Sequence, residues 1–359
     1  MDAAINGFIG LPPVDGAASG GAPPCAKRSR RATASRAGSV NAFRGAGGQD
    51  KGPALILSQT TPMKPSDASR NSFMFAPQNW PLAHGRTLRI GDRALVMGVL
   101  NVTPDSFSDG GHFAAADDAL RQADRMIGEG AAIVDVGGES TRPGGAAVTP
   151  LEEQRRVLPV IEALAARGDV AISVDTYRAE TARLAVAAGA HIVNDVWGLQ
   201  REPDIARVAA ETGAGLVIMH TGRDREKLPD IISDQIKFLS HSIEIAGHNG
   251  VKKESVLLDP GFGFAKETAE ENLDLMARFD ELHGLGRPLL VGTSRKRFVG
   301  AITGREADRR DPGTAATSVV LRLMGAAVFR VHNVAMNVDA LAIADAMVER
   351  GLTVRRKPV

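Results

Sequence analysis

From about Ala83 onward, short runs of β-branched and aliphatic residues alternate with longer stretches in which apolar positions recur at helical spacing. The short runs predict eight strands, at Ala94–Leu100, Ile133–Val136, Ala171–Val174, Ile192–Asp195, Gly215–Met219, Val256–Asp259, Leu289–Gly292 and Val328–Val331. The longer stretches predict helices at Ala114–Glu129, Thr149–Arg167, Arg178–Ala188, Pro203–Thr212, Gln235–His248, Glu267–Ala277, Gly313–Met324 and Val334–Arg350. In the second of these, Thr149 is a natural N-cap, Pro150 takes the first helical position, Glu152 lies three residues after the cap, and Val157, Leu158, Ile161 and Leu164 mark one face. Strands that alternate with helices imply a parallel sheet. Eight such units within residues 83–359 match the roughly 250 residues of a (β/α)8 TIM barrel. A doubly wound open sheet is the alternative, and the polar residues separate the two. A barrel brings every strand's C-terminal end to one mouth, whereas an open sheet gathers only those at a switch point.

Residues 1–82 read differently, as a Gly- and Pro-rich, low-complexity extension without helical or strand period, and disorder is expected there. Its basic cluster Lys27, Arg28, Arg30 and Arg31 has a transit-peptide flavour but no amphipathic pattern, and a start at Met63 or Met74 is a further reading. The balance of 43 Lys and Arg against 42 Asp and Glu, a net charge of +1, excludes blanket attraction to nucleic acid. Aromatic residues at 4% argue against a stacking platform for single strands. No apolar run approaches the roughly 18–20 residues of a membrane span. The single cysteine, Cys25, excludes an internal disulfide and a cysteine-based metal site, which fits a reducing, cytoplasmic setting.

Nearly every strand runs into a polar cluster. The first gives Asn101–Gly111, the second Asp135–Gly144, the third Ser173–Thr176, the fourth Asn194-Asp195, the fifth Met219-His220, the sixth Asp259–Phe264, the seventh Gly292–Arg297 and the eighth Arg330–Asn333. Sorted by chemistry, Asp135, Asp175, Asn194 and Asp259 are acceptors or amides, and Arg142, Arg295, Lys296, Arg297, Arg330 and His332 are donors or cations. The first set suits a planar heterocycle with several N–H donors, because an unpaired buried polar group costs about 1–3 kcal/mol. The second suits an anion such as phosphate, diphosphate or carboxylate. No serine sits in a nucleophile elbow, and Gly261-Phe262-Gly263-Phe264 is no dinucleotide fingerprint.

The runs Asn101–Gly111, Asp135–Gly144, Asp259–Lys266 and Thr293–Lys296, with Arg330-Val331-His332, resemble the signatures of the dihydropteroate synthase family, the folate-pathway enzymes that sulfonamides inhibit. The likeness covers about residues 90–350, in order, one motif per strand end. It implies a pterin-binding catalytic barrel over 83–359 that joins 6-hydroxymethyl-7,8-dihydropterin diphosphate to 4-aminobenzoate, with Mg2+, and releases pyrophosphate. Residue by residue, it implies that Asp175, Asn194, Asp259 and Lys296 hydrogen-bond the pterin, that Arg330 stacks on it and that Met219 walls it. Asn101 binds the metal or diphosphate, and His332 with Arg330 holds the leaving group. Asp135, Asp175 and Asp259 favour the positive charge that develops on the pterin methylene. Lys296, Asp175, Arg330 and His332 are thus the catalytic set. Two mobile loops, Thr103–Gly111 and Thr141–Gly144, close over the second substrate, with Phe107, Pro143, Phe264 and the Lys296 stem around its ring and Thr141, Arg142 and Arg297 near its carboxylate.

Three positions depart from the family pattern. Arg297 stands where Ser commonly follows the lysine, Asn333 where Asp commonly follows Arg-x-His, and Thr221–Arg225 replaces the usual Met-Gln-Gly stretch. Activity is expected to survive, with altered affinity for the second substrate or for sulfonamides, and any role of position 333 in orienting His332 is weakened. His220 reads as structural, and Arg295 reads equally as a salt-bridge former or a ligand contact. The rival functions are a pterin methyltransferase working with a corrinoid protein and a non-catalytic pterin-binding paralogue. The resemblance also implies a homodimer through the last helices, for which Met324, Val328, Ala342 and Met347 are candidate exposed apolar residues.

Overall fold

The computed structural model describes residues 74–103, 111–139 and 148–352. A hairpin of β1 (Gln78–Pro81) and β2 (Thr87–Ile90) leads into β3 (Leu95–Asn101), α1 (Gly111–Gly128), β4 (Ile133–Gly137) and α2 (Pro150–Arg167). Then follow β5 (Ala171–Asp175), α3 (Ala179–Ala187), β6 (Ile192–Asp195), α4 (Asp204–Thr212), β7 (Gly215–Met219), α5 (Ile231–His248), β8 (Val256–Asp259) and α6 (Ala269–Ala277). The chain ends with β9 (Leu290–Val291), α7 (Arg297–Thr303), α8 (Asp311–Leu323), β10 (Val328–Val331) and α9 (Val334–Glu349).

Strands β3 to β10 form one parallel sheet in the order β8-β7-β6-β5-β4-β3-β10-β9, and a parallel bridge between Leu258 and Leu289 joins its two ends. That bridge decides for the barrel over the open sheet. Helix α2 begins as its sequence dictates: Thr149 accepts from the Glu152 amide at 3.3 Å, Pro150 follows, and Gly168 ends it at φ 71°. Val157, Ile161 and Leu164 on its inner face are fully buried against the strands. The short α7, which carries Arg297 at its start, has no counterpart among the expected helices.

The expected boundary between residues 82 and 83 lies inside an ordered hairpin. Trp80 is fully buried, donates its indole N–H to Ser255 O at 2.9 Å, and packs with Leu82, Ile90 and the first inward residues of the barrel strands. This is a correction of the sequence reading for residues 78–82, and its cause is a plug that closes the bottom of the barrel. The fit is tight, since a Cβ at Gly215 would stand 2.4 Å from a Leu82 methyl carbon. Residues 1–73 lie outside the described residues, as does Cys25.

At the other edge, Arg322 is buried on α8 and ties three segments together. It donates to Asp345 Oδ1 on α9 at 2.5 Å and to the carbonyls of Gly91, Asp92 and Ala326 at 2.9–3.1 Å, so a costly buried charge is fully partnered. Met324 and Val328, expected to be exposed, are buried in the core because the α8–β10 connection turns inward. Ala342 and Met347 are exposed, as are Met336 and Ile343 on the same helix. No helix among the described residues is long and apolar enough to cross a membrane.

Candidate active site

Side chains alternate along a strand, so residues two apart point the same way. Ile133, Ala171, Ile192, Val217, Leu257 and Val328 belong to the apolar floor of the barrel. Two residues further on stand Asp135, Ser173, Asn194, Met219, Asp259 and Arg330, with Asp175 next after Ser173. On five of these six strands the inward face thus switches from apolar to polar within one pleat, and on β7 it stays apolar with Met219.

These polar groups form one network. Arg330 Nε donates to Asp135 Oδ2 at 2.6 Å, Arg330 Nη2 to Asp175 Oδ2 at 2.6 Å, and Asn194 Nδ2 to Asp135 Oδ2 at 3.2 Å. A guanidinium bonded along its edge keeps its faces for stacking. The opposite carboxylate oxygens, Asp135 Oδ1 and Asp175 Oδ1, and the Ser173 hydroxyl are buried without a hydrogen-bond partner among the described residues. Three such atoms side by side point to a ligand that supplies donors, since each costs about 1–3 kcal/mol when unpaired. Burial pushes the Asp175 carboxyl up against the pull of Arg330, and it raises Asp259 to about 6, a shift that the Gly261 amide at 2.7 Å and Lys296 oppose. Both acids lie where a small change in surroundings alters their charge.

Beside the network opens a cavity of about 370 Å3, lined in part by Asn101, Phe264, Lys296, Arg297, Arg330 and His332. The Lys296 stem passes Gly263, where a Cβ would stand 3.1 Å from its Cδ, and the ammonium lies 4.0 Å from the centre of the Phe264 ring. Burial first, then neighbouring Arg330, draws Lys296 down to about 7. Phe264 packs with Met219 and Val196. His332 is fixed by Ser294: the serine oxygen accepts from the His332 amide at 3.1 Å and lies 2.9 Å from Nδ1. The Ser294 hydroxyl can donate to Nδ1 or accept from it, according to the ring's tautomer, and either way it fixes the ring's orientation.

The Mg2+ expectation is testable on donor chemistry. Among the described residues no three His, Cys, Asp or Glu side chains are grouped to hold a metal. Mg2+ needs no such cage, because it keeps several waters and takes one or two protein oxygens together with substrate phosphate. Asn101 offers one hard oxygen at the cavity wall, and Gly137 keeps the space between it and Asp175 clear, where a Cβ would lie 3.8 Å from Asn101 Oδ1. The residues fit a phosphate-bound metal.

Comparison with known proteins decides the family. Residues 97–332 match the family described as pterin binding enzyme. The chain is 46% identical over 263 residues to the dihydropteroate synthase of Bacillus subtilis strain 168, covering 72% of this chain and 90% of that protein. The chain belongs to the dihydropteroate synthase family. Two solved structures of dihydropteroate synthase from Xanthomonas albilineans agree. One, with 4-aminobenzoic acid, is 42% identical with a TM-score of 0.71 and covers 76% of this chain and 99% of that one. The other, in complex with 7,8-dihydropteroate, is 41% identical with a TM-score of 0.68 and covers 75% and 98%. Membership makes the chain a transferase of folate biosynthesis and sets aside the corrinoid-dependent methyltransferase.

Within this family site, Asn101, Asp135, Asp175, Asn194, Met219, Asp259, Phe264, Lys296, Arg330 and His332 all fall at the mouth, and Arg297 lies at the cavity rim as an exposed residue. Phe107, Thr141, Arg142 and Pro143 lie outside the described residues. Arg295 forms a two-pronged pair with Asp311 at 2.7 and 2.8 Å and also borders the cavity. Asn333 does not orient His332; it caps α9 through the Met336 amide at 3.1 Å and donates to Asp311 at 3.0 Å. The orienting group is Ser294, which sequence reasoning left unassigned. Ser173 stands in the third strand's expected polar cluster but was given no role there, although strand alternation with Asp175 was the available signal.

Proposed function

We propose that the chain condenses 6-hydroxymethyl-7,8-dihydropterin diphosphate with 4-aminobenzoate to give 7,8-dihydropteroate and pyrophosphate, with the ring of polar groups at the barrel mouth as its site. The observation that carries this reading is the trio of buried unpaired acceptors, Asp135 Oδ1, Asp175 Oδ1 and Ser173 Oγ, beside a cation-lined cavity. A pterin edge rich in N–H groups satisfies the first and a diphosphate the second.

In this reading Asp175 and Asn194 take the pterin's nitrogen edge, Asp259 and Lys296 bind its other polar atoms, Met219 walls it, and the guanidinium face of Arg330 stacks on it. The bond between the methylene carbon and the diphosphate oxygen breaks, and its electron pair leaves with the diphosphate. The arylamine nitrogen bonds to the methylene and releases a proton to solvent. That amine is neutral and nucleophilic near pH 7, so no strong base is required. Arg330 and the His332 ring stabilise the charge gathering on the leaving group, and Asp135, Asp175 and Asp259 stabilise the cation-like methylene. Asn101 would hold a phosphate-bound Mg2+, which when bound would supply positive charge at the leaving group. Phe264 and the Lys296 stem flank the arylamine, with Phe107, Thr141, Arg142, Pro143 and Arg297 completing its pocket; sulfonamides compete there.

The catalytic unit is proposed to begin at the β1 hairpin and to act in the cytoplasm as a homodimer. Exposed Met336, Ile343 and Met347, spaced seven and four residues apart on one face of α9, support pairing through that helix. The test of function is steady-state pyrophosphate release with each substrate alone and with both, with and without Mg2+. Release that requires both substrates and the metal is expected. A folded protein that binds the pterin but releases nothing would instead be the non-catalytic paralogue.

A further inference from the structure

One buried cation near the mouth has no part in the chemistry above. Lys266 is 4% exposed, and its ammonium donates to Gly261 O at 2.9 Å, to Phe264 O at 3.4 Å and to His220 Nδ1 at 3.1 Å. An ammonium only donates, so Nδ1 accepts from charged Lys266, while Nε2 lies 2.9 Å from Asp234 Oδ2 and 2.9 Å from Arg225 Nη2. Arg225 holds the same carboxylate at 2.6 and 2.9 Å. Burial keeps His220 neutral, drawing it down to about 3. The charge of Lys266 is therefore seated on three neutral acceptors beneath a single turn.

That turn, from Asp259 to Lys266, carries two residues of the site. Its backbone is left-handed at three places, easily so at Gly261 (φ 64°) and Gly263 (φ 75°) and with strain at Ala265 (φ 52°), which carries a Cβ. A Cβ on Gly261 would lie 2.0 Å from His220 O, so the turn is pressed against the end of β7. Closing two carbonyls could be done by a neutral amide at lower desolvation cost, yet the chain buries a cation there. Burial draws the Lys266 ammonium down to about 7, Asp259 and Asp234 oppose that shift, and Lys227 and Lys296 add to it, so the group carries its charge below that pH.

Lys266 also borders the cavity, beside Phe264 and Lys296. We propose that Lys266 is a positioning residue: through the turn its charge and hydrogen bonds hold the Asp259 carboxylate, and the Phe264 ring against which Lys296 rests, in place for the pterin. This rests on the reading of the mouth as a pterin site. The test is titration calorimetry of the pterin diphosphate with wild type, Lys266→Met, Lys266→Gln and Lys266→Arg across about pH 5–9, alongside melting curves. The two charge-free variants are expected to bind about tenfold more weakly or worse, and Lys266→Arg within about threefold of wild type, since bonds to a charged group carry about 1.5–3 kcal/mol. The acid limb of binding should also move to higher pH in the charge-free variants, because Asp259 loses a cation that holds its proton affinity down. Unchanged affinity overturns the assignment. So does weaker binding with an unmoved acid limb, which is the mark of a merely structural lysine, and so does failure of both charge-free variants to fold. Wild type that binds no pterin sinks the reading of the mouth itself, a distinct result.

Discussion

The two ends of the barrel are built from the same strands and differ by one pleat. At the floor, Met97, Ile133, Ile192, Leu257 and Val328 meet Trp80 of the β1 hairpin, and the contact is apolar, closed and without charge. At the mouth, Asp135, Asn194, Asp259 and Arg330 occupy the next inward positions and leave buried acceptors unpaired. The floor therefore holds the stability that the mouth gives up. Strand register alone separates the two functions, because a two-residue step keeps each side chain facing inward while moving it from core to cavity.

The largest effect that tests this division is at the floor. Trp80→Ala removes a fully buried indole and its bond to Ser255 O, and is expected to cost about 3–5 kcal/mol of stability. Below its lowered melting temperature the variant should keep the wild-type KM for both substrates. A changed pterin KM with little change in melting would show that floor and mouth are not separable.

Next come Asp175→Ala and Lys296→Ala at the mouth, each expected to lower turnover by about tenfold or more in pyrophosphate release. Neither should destabilise as Trp80→Ala does, for each removes a group that burial already disfavours in its charged form. Near-wild-type rates in both folded variants would count against the site as assigned.

The contrast also explains what could be read before the structure was known. Strand positions and the polar clusters at their ends were legible because parallel barrel strands are short apolar runs ending in chemistry, and the motif likeness then assigned most of the mouth. The floor plug was not legible: Gln78–Pro81 is a short, isolated run with a proline, and only its packing under the barrel shows why Trp80 is buried. Position 333, whose role toward His332 was expected to be weakened, is a related case. Its neighbour in sequence is His332, but its side chain turns to the helix cap and Asp311, while Ser294 reaches His332 from another strand end. Partners contributed by different strands leave no local trace.

A smaller effect separates the ends by pH. Burial raises Asp259 in the folded, ligand-free protein from 3.8 to about 6. The folded state then binds a proton across that window that the unfolded chain has released. Its contribution to stability is thus full below the ordinary value and is lost as pH rises through about 6. Melting temperature should fall over that window, and Asp259→Asn, which keeps the acceptor for the Gly261 amide, should flatten the fall. An unaltered slope would remove Asp259 as the titrating group.

The smallest effect lies at the rim, where this chain departs from its family. Arg297 opens α7 and borders the cavity, but its side chain is exposed, unlike Lys296 beside it. An exposed pairing with a carboxylate is worth about 0.2–1 kcal/mol, so Arg297→Ser should raise the KM for 4-aminobenzoate by only about two- to fivefold and leave the pterin KM unchanged. High salt should shrink the difference between wild type and this variant, because exposed charges are screened. Identical constants for 4-aminobenzoate and for a sulfonamide in both proteins would show that Arg297 takes no part in binding the second substrate. A large, salt-independent loss would instead show that the side chain is enclosed once both substrates are bound, and the rim would then share the buried electrostatics of the mouth.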